Sequence, residues 1–320
     1  MLNKILITGC SGFIGFHMSR TLLKDGIEVF GVDNMNDYYC PILKEDRLKI
    51  LKKFPNFKFK KKDICDYESL FKIFNNFKPH KIIHLAAQAG VQHSITDPFS
   101  YVKSNLEGFV NILELSKRSK IDHVIYASSS SVYGNNDKIP FCTTDRADYP
   151  LSLYAATKRS NELLAYSYSN LYDISMTGLR FFTAYGPWGR PDMAYFIFTE
   201  KIFSKIPIQV YNNGKLKRDF TYIDDIIAGI KSSMKVKKKY EIYNLGNNKS
   251  ENIMNFISCI ENSLGMKAMI EYLPLKDGDV KQTYANIDKS IKELNYKPSV
   301  NINDGIDKFI NWYKEYKNNN

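Results

Sequence analysis

Tyr154 and Lys158 stand four residues apart, and a run of four serines, Ser128, Ser129, Ser130 and Ser131, precedes them at the end of the apolar stretch Val124-Ile125-Tyr126-Ala127. On a helix, residues four apart share one face, so an ammonium there can lower a phenol's pKa and make it an acid–base group. Such a pair is commonplace on surface helices; its weight here comes from the strand and serines before it. Near the N-terminus Gly9, Gly12 and Gly15 follow the apolar run Ile5-Leu6-Ile7-Thr8. Glycines between a strand and a helix let the backbone approach a pyrophosphate, whose charge the helix N-terminus stabilises. Asp33 closes the next apolar run, eighteen residues after Gly15, where an acidic side chain accepts from an adenosine ribose. A bound dinucleotide beside an activated tyrosine implies hydride chemistry at a carbinol carbon.

Short apolar strands are expected at 4–8, 28–33, 57–62, 81–87, 123–129 and 174–182, alternating with helix-length segments. That alternation predicts an α/β protein with a Rossmann-type, doubly wound parallel sheet. A helix is expected from Phe13 to Lys24, and a charged one over 42–53 after an insertion whose tyrosines read as packing residues. After residue 182 prolines, glycines and aromatics cluster, and Asn212-Asn213-Gly214 signals a hairpin within 210–223. A last amphipathic helix is expected over 303–316. The chain thus divides into a dinucleotide-binding domain, 1–182, which carries the Tyr-x-x-x-Lys helix, and a smaller mixed lobe, 183–320, mainly for substrate and interleaved with the first. Substrate belongs in the cleft outside the carboxyl ends of the strands.

With 320 residues the chain can bury a large core without disulfides or metals. Five scattered cysteines, odd in number and without a Cys-x-x-Cys pair, argue against a zinc site or a disulfide framework. No leader and no run of 18 or so apolar residues is visible, so a cytoplasmic protein without a membrane partner is expected. The net charge of +11 is spread along the chain, with only short lysine clusters at 60–62 and 235–239. It reads as a solvated lysine surface rather than a nucleic-acid site, and a mild cationic field also gathers polyanionic small substrates.

The GxxGxxG turn, Asp33, Asp63-Ile64, His84-Leu85-Ala86-Ala87, Ser129 and Tyr154-x-x-x-Lys158 together resemble the extended short-chain dehydrogenase/reductases that act on nucleotide sugars. GVDNMNDYY, RFFTAYGPWGRPDMA, RDFTYIDDI and the Gly-Asp-Val before Tyr284-Ala285 look most like UDP-glucuronate 4-epimerases. The resemblance covers nearly the whole chain and implies NAD as cofactor, held by Gly9, Gly12, Phe13, Ile14, Gly15, Asp33, Asn34, Asp63, Ile64, Leu85, Ala86, Ala87, Asn105, Tyr154 and Lys158. It implies that Tyr154 takes the proton of a sugar 4-hydroxyl while C4 gives up hydride, Lys158 favouring the phenolate and Ser129 holding the 4-oxygen. Related dehydratases and decarboxylases carry carboxylates just after that serine; Ser130 and Ser131 stand there instead, which favours simple epimerisation.

The same resemblance assigns Gln88, Ser130, Ser131, Thr183, Arg190, Arg218 and Lys276 to a UDP-sugar. Arg190 matches an arginine that reads a uronate carboxylate, which a guanidinium can hold bidentately. Arg218 matches one that grips the diphosphate, and Lys276 lies near a second phosphate-binding position. One departure stands out: Gln92 and His93 occupy a loop where relatives carry Ala-Gly-Val-Arg. A 4-epimerase of UDP-glucose or a UDP-N-acetylhexosamine therefore stays open, as does an inactive NAD-binding scaffold, against which the intact Ser129, Tyr154 and Lys158 argue. Relatives pair as homodimers through two long helices, here about 98–119 and Leu153–Tyr172, with Phe99, Val102, Leu106, Phe109, Val110 and Leu113 at helical spacing on the first.

Overall fold

A computed structural model describes residues 4–276 and 278–318. The first half runs β1 (Lys4–Thr8), α1 (Phe13–Lys24), β2 (Glu28–Asp33), α2 (Pro41–Leu51), β3 (Phe57–Lys61), α3 (Tyr67–Phe77) and β4 (Lys81–His84). Next come a short α4 (His93–Thr96), α5 (Pro98–Tyr101), a π-helical stretch (Val102–Glu107), α6 (Gly108–Arg118), β5 (His123–Ser129), α7 (Leu153–Tyr172) and β6 (Ser175–Phe181). The second half comprises β7 (Thr183–Tyr185), α8 (Ala194–Phe203), β8 (Ile208–Tyr211), β9 (Lys217–Arg218), β10 (Phe220–Tyr222), α9 (Ile223–Ser233) and β11 (Tyr240–Leu245). It ends with β12 (Glu251–Asn252), α10 (Ile253–Leu264), β13 (Ile270–Leu273), α11 (Asp288–Leu294) and α12 (Ile302–Asn318).

Seven strands form one parallel sheet in the order β11-β6-β5-β4-β1-β2-β3. Its central strands are apolar on both faces, as helices on both sides require. Ile5 and Ile7 point into one core with α1, α8 and α12, while Leu6 between them points into the other with α3 and α6. The strand order reverses between β1 and β4, which opens a crevice at their carboxyl ends. All six expected strands are present. β4 stops at His84, short of the expected 87, where its partner β1 ends at Thr8; beyond it the nucleotide turn packs against the chain, and a Cβ on Gly9 would lie 2.7 Å from the Ala86 nitrogen.

Two readings of local sequence are corrected. The seventh strand, β11, comes from beyond residue 182 and extends the sheet by pairing with β6. Asn212-Asn213-Gly214 does not join a hairpin. All three residues have positive φ and form a tight helical turn, after which β8 pairs with β13 and β9 with β12. A two-residue turn would return the chain on itself; three left-handed residues in a row send it elsewhere.

The expected helix over 98–119 is present as α5, the π-helical stretch and α6 in succession. Its apolar stripe divides, with Phe109 and Leu113 in the core and Phe99 and Val102 exposed. Behind α7 lies a fully buried ion pair: Arg180 on β6 gives Glu162 two bonds of 2.8 and 2.9 Å, and Ser128 Oγ donates to the same carboxylate at 2.7 Å. Burial alone would raise the Glu162 pKa, but these bonds and the Arg180 charge hold it below the usual carboxylate range. Glu162→Ala strands a buried guanidinium and is expected to cost about 3–5 kcal/mol of unfolding free energy, measurable by urea denaturation; a loss below about 1 kcal/mol contradicts this.

Candidate active site

The nucleotide turn needs its glycines. Gly9 has φ +74°, and a Cβ on Gly15 would sit 1.9 Å from the Gly9 carbonyl oxygen. α1 starts just after the turn with no side-chain cap on Gly12, leaving its first amides to face an anion. Asp33, at the end of β2, accepts from the Ser11 amide at 3.0 Å and the Met35 amide at 2.9 Å. Each carboxylate oxygen keeps a lone pair for a ribose hydroxyl. This donor and acceptor set fits a dinucleotide.

Gly9, Gly12, Phe13, Ile14, Gly15, Asp33, Asn34, Ile64, Leu85, Ala86, Ala87 and Lys158 all line one cleft of about 410 Å³. Two of the expected cofactor residues stand behind its wall. Asp63 accepts from the Asn34 side chain at 3.0 Å and the Cys65 amide at 2.8 Å; burial would raise its pKa, yet these bonds hold it down. Asn105 is buried, binding the Gln88 backbone at both its amide and its carbonyl and donating to Thr157 Oγ1. Its geometry is that of a brace for the cleft wall.

Ser129, Tyr154 and Lys158 line the same cleft. β5 presents Ser129 at its last residue, and Ser152 caps α7 through the Ala155 amide at 3.1 Å, so Tyr154 enters on the first turn. Ser129 shares a hydrogen bond with the Tyr154 phenol and accepts from Ser131 Oγ at 2.9 Å. Lys158 is buried, and its ammonium donates to the Ala127 carbonyl at 2.9 Å; burial lowers its pKa to about 8.

The expectation that Lys158 lowers the Tyr154 pKa is not met within the protein itself. Burial raises the phenol's pKa; the Ser129 hydrogen bond and the charge of Arg190 oppose it without prevailing, and Lys158 is turned toward Ala127.

Gln88, Ser130, Ser131, Thr183, Arg190 and Arg218 also line the cleft, whereas Lys276 does not: its ammonium lies 4.0 Å from the centre of the Tyr211 ring. Both arginines already hold carboxylates of the chain. Asp192 takes Nε of Arg190 at 3.0 Å and one terminal nitrogen, and Asp279 takes a terminal nitrogen of Arg218 at 2.6 Å. Tyr38, read from sequence as a packing residue, lines the cleft, packs with its ring tilted 45° and its centre 4.8 Å from that of His93, and donates to Asp192 at 3.1 Å. Gln92 lies outside the cleft, in a groove with Ile95, Tyr211 and Lys276.

Sequence reasoning missed Asp192, Asn36 and Lys44. Lys44 is 5% exposed, lines the cleft and donates to the backbone carbonyl of Asn36 at 2.6 Å. Burial lowers its pKa. A lysine in Lys44-Glu45-Asp46-Arg47 reads as a solvated helix face, and only the fold turns it inward.

A family model described as the NAD dependent epimerase/dehydratase family matches residues 5–246. Protein CapI of Staphylococcus aureus is 50% identical over 98% of this chain and 99% of its own length. UDP-glucuronate 4-epimerase 5 of Arabidopsis thaliana is 45% identical over 97% of this chain and 75% of its own. Among solved structures, UDP-glucuronic acid 4-epimerase from Bacillus cereus, in complex with UDP-glucuronic acid and NAD, superposes with a TM-score of 0.92 at 35% identity. That match spans 98% of this chain and 99% of the other.

The buried lysine generates a pH expectation. Its folded pKa, about 8, is depressed, so the ammonium form is present below that pH and lost above it. Turnover by the holoenzyme is expected to fall as pH rises through about 8, read as a descending limb in kcat/KM against pH. A profile flat to pH 10 refutes the assignment.

Proposed function

The chain belongs to the NAD dependent epimerase/dehydratase family, and on that premise we propose that it interconverts UDP-glucuronate and UDP-galacturonate by inversion at C4. The observation that carries the reading is one cleft lined by the nucleotide turn, by Ser129, Tyr154 and Lys158, and by Arg190 and Arg218. The protein is an NAD-dependent epimerase. NAD, when bound, supplies the reversible hydride acceptor for C4 and a positive ring beside the tyrosine.

The chain's own groups do the rest. Ser129 hydrogen-bonds the 4-oxygen and orients it toward Tyr154. Tyr154 as phenolate takes the 4-hydroxyl proton and returns it after the 4-keto sugar has turned over. Lys158 holds the nicotinamide ribose, and the positive ring beside the tyrosine favours the phenolate. Ser130 and Ser131 put no carboxylate beside the sugar, so elimination and decarboxylation lack their acid and base. Arg190 reads the uronate: Asp192 engages Nε and one terminal nitrogen, and a guanidinium has five N–H donors, so a further edge serves a second carboxylate. Arg218 serves the diphosphate by exchanging Asp279 for it.

A neutral-sugar 4-epimerase is the second reading, favoured by the Asp192 carboxylate that already occupies Arg190 and by Gln92 standing where a cation was expected. The exposed faces of Phe99 and Val102 on the first helical run and of Leu163 and Tyr166 on α7 fit pairing of two copies, which would bury them.

Three outcomes test these statements. Tyr154→Phe is expected to lower turnover by about 10²–10⁴-fold while UDP-sugar and NAD still bind, as positioned acid–base catalysis dictates; more than about a tenth of the activity remaining would assign the proton to another group. Arg190→Ala is expected to reduce UDP-glucuronate turnover about ten- to a hundredfold while affecting UDP-glucose far less. Equal losses would mean that Arg190 acts on the fold or the diphosphate instead, and Gln92 would then point to a neutral sugar. Sedimentation at micromolar concentration is expected to give a dimer, and a monomer refutes the pairing.

A further inference from the structure

The loop that presents Arg190 is held by its own backbone. Three successive carbonyls are captured by side chains from the helices flanking the nucleotide turn. His17 on α1 donates through Nε2 to Pro187 O at 2.9 Å. Arg47 on α2 donates one terminal nitrogen to Trp188 O at 2.6 Å and Gly189 O at 2.9 Å. Its other terminal nitrogen donates to Ser11 O at 2.9 Å and to the Tyr39 hydroxyl at 2.7 Å. Arg47 is fully buried and lies outside the cleft walls.

The captured segment could not hold this shape unaided. Trp188 has φ +59°, a left-handed conformation that bulky residues rarely adopt and that persists only when surroundings impose it. Gly189 has no room for a side chain, since a Cβ would lie 2.0 Å from the Tyr195 hydroxyl. That hydroxyl in turn accepts from the Arg190 amide at 3.0 Å. On the other side, Ser11 belongs to the nucleotide turn, and its amide donates to Asp33 Oδ2. A continuous hydrogen-bonded path therefore runs from the Asp33 carboxylate through Ser11 and Arg47 to the two residues before Arg190. A planar guanidinium can span both segments; an ammonium on a single carbon cannot.

We propose that Arg47 is a positioning residue that couples the nucleotide-binding turn to the Arg190 loop, so that one buried guanidinium sets both cofactor retention and recognition of the sugar's anionic group. The second half of this rests on the reading that Arg190 meets the substrate carboxylate. The first half does not. Arg47 is buried and does not line the cleft; it acts through the backbone it fixes.

Arg47→Lys keeps the charge and loses the span. In the holoenzyme it is expected to raise KM for UDP-glucuronate about tenfold or more with kcat changed by only a few fold, the order expected when a reading group shifts by about an ångström. It is also expected to lower the fraction of NAD retained through gel filtration. The Arg47→Lys/Arg190→Ala double variant is expected to be no worse in KM than Arg190→Ala, because both act through one contact. Additive losses, or an unchanged KM or NAD retention in a folded Arg47→Lys protein, overturn the proposal.

Should Arg47→Lys fail to fold, Tyr39→Phe removes a single bond to Arg47 and is expected to move KM and NAD retention the same way by a smaller factor; no change in either overturns it. A substrate-independent arm separates this from the function itself. Of the two tryptophans only Trp188 remains in Trp312→Phe, so its emission reports the loop. NAD is expected to change that emission, and Arg47→Lys to abolish the change. Loss of UDP-glucuronate turnover in the wild type with this response intact sinks the substrate reading alone; a response that survives Arg47→Lys sinks the coupling.

Discussion

The Glu162 carboxylate is the point on which the rest of the site depends. It receives Arg180 from β6, Ser128 from the end of β5 and Arg159 from its own helix, the last at 2.9 Å, while the Tyr240 hydroxyl donates to its backbone carbonyl at 3.0 Å. Glu162 is four residues beyond Lys158, so it fixes the rotation of α7 under the two residues that handle the proton. Ser128 is the neighbour of Ser129, so the same carboxylate sets the height of the strand end. Burying this much charge is costly, and the gain lies in geometry: with every lone pair engaged, the three segments have one mutual arrangement.

Around that fixed centre the cleft is lined with five cations: the half-exposed Lys62, which pairs with Asp66 at 3.3 Å, and Lys44, Lys158, Arg190 and Arg218, each held more deeply by an acceptor of the chain. The two arginines on the substrate side are held by carboxylates and the two buried lysines by carbonyls. A carboxylate can be exchanged for another anion at little cost, whereas a backbone carbonyl stays where the fold puts it. The arrangement therefore makes the lysines fixtures and the arginines adaptable, which suits a site whose sugar must turn over between two hydride transfers. Tyr38 binds Asp192 of the Arg190–Asp192 pair, and its ring packs against His93 at the start of α4.

Much of this was legible in the chain. Strand positions followed from apolar runs because a sheet covered on both faces needs them. α1 and α7 matched their expected limits, since a glycine turn and a serine cap mark them locally. β11 and the course after Asn212-Asn213-Gly214 were not legible, because each depends on which distant strand is free to pair. The buried Lys44 and Arg47 were hidden for a related reason: their neighbours in sequence are charged, and a helix whose buried face is cationic has little amphipathic pattern.

The sequence by itself determined the chemistry on offer: a dinucleotide turn, an acidic residue eighteen positions on, a serine and a Tyr-x-x-x-Lys pair, all short-range patterns in which spacing alone sets which atoms share a face. Only the tertiary structure decided the partners of each charged group. Lys158 meets Ala127, Arg190 meets Asp192, Arg218 meets Asp279, and Arg47 meets carbonyls from Ser11 and Trp188. Some of these partners lie far away in sequence, and the pKa of a buried group depends on burial and on charges brought near by the fold. Tyr154 shows the consequence: its spacing from Lys158 announced an activated phenol, while in the folded cleft burial raises its pKa against the Ser129 hydrogen bond and the charge of Arg190.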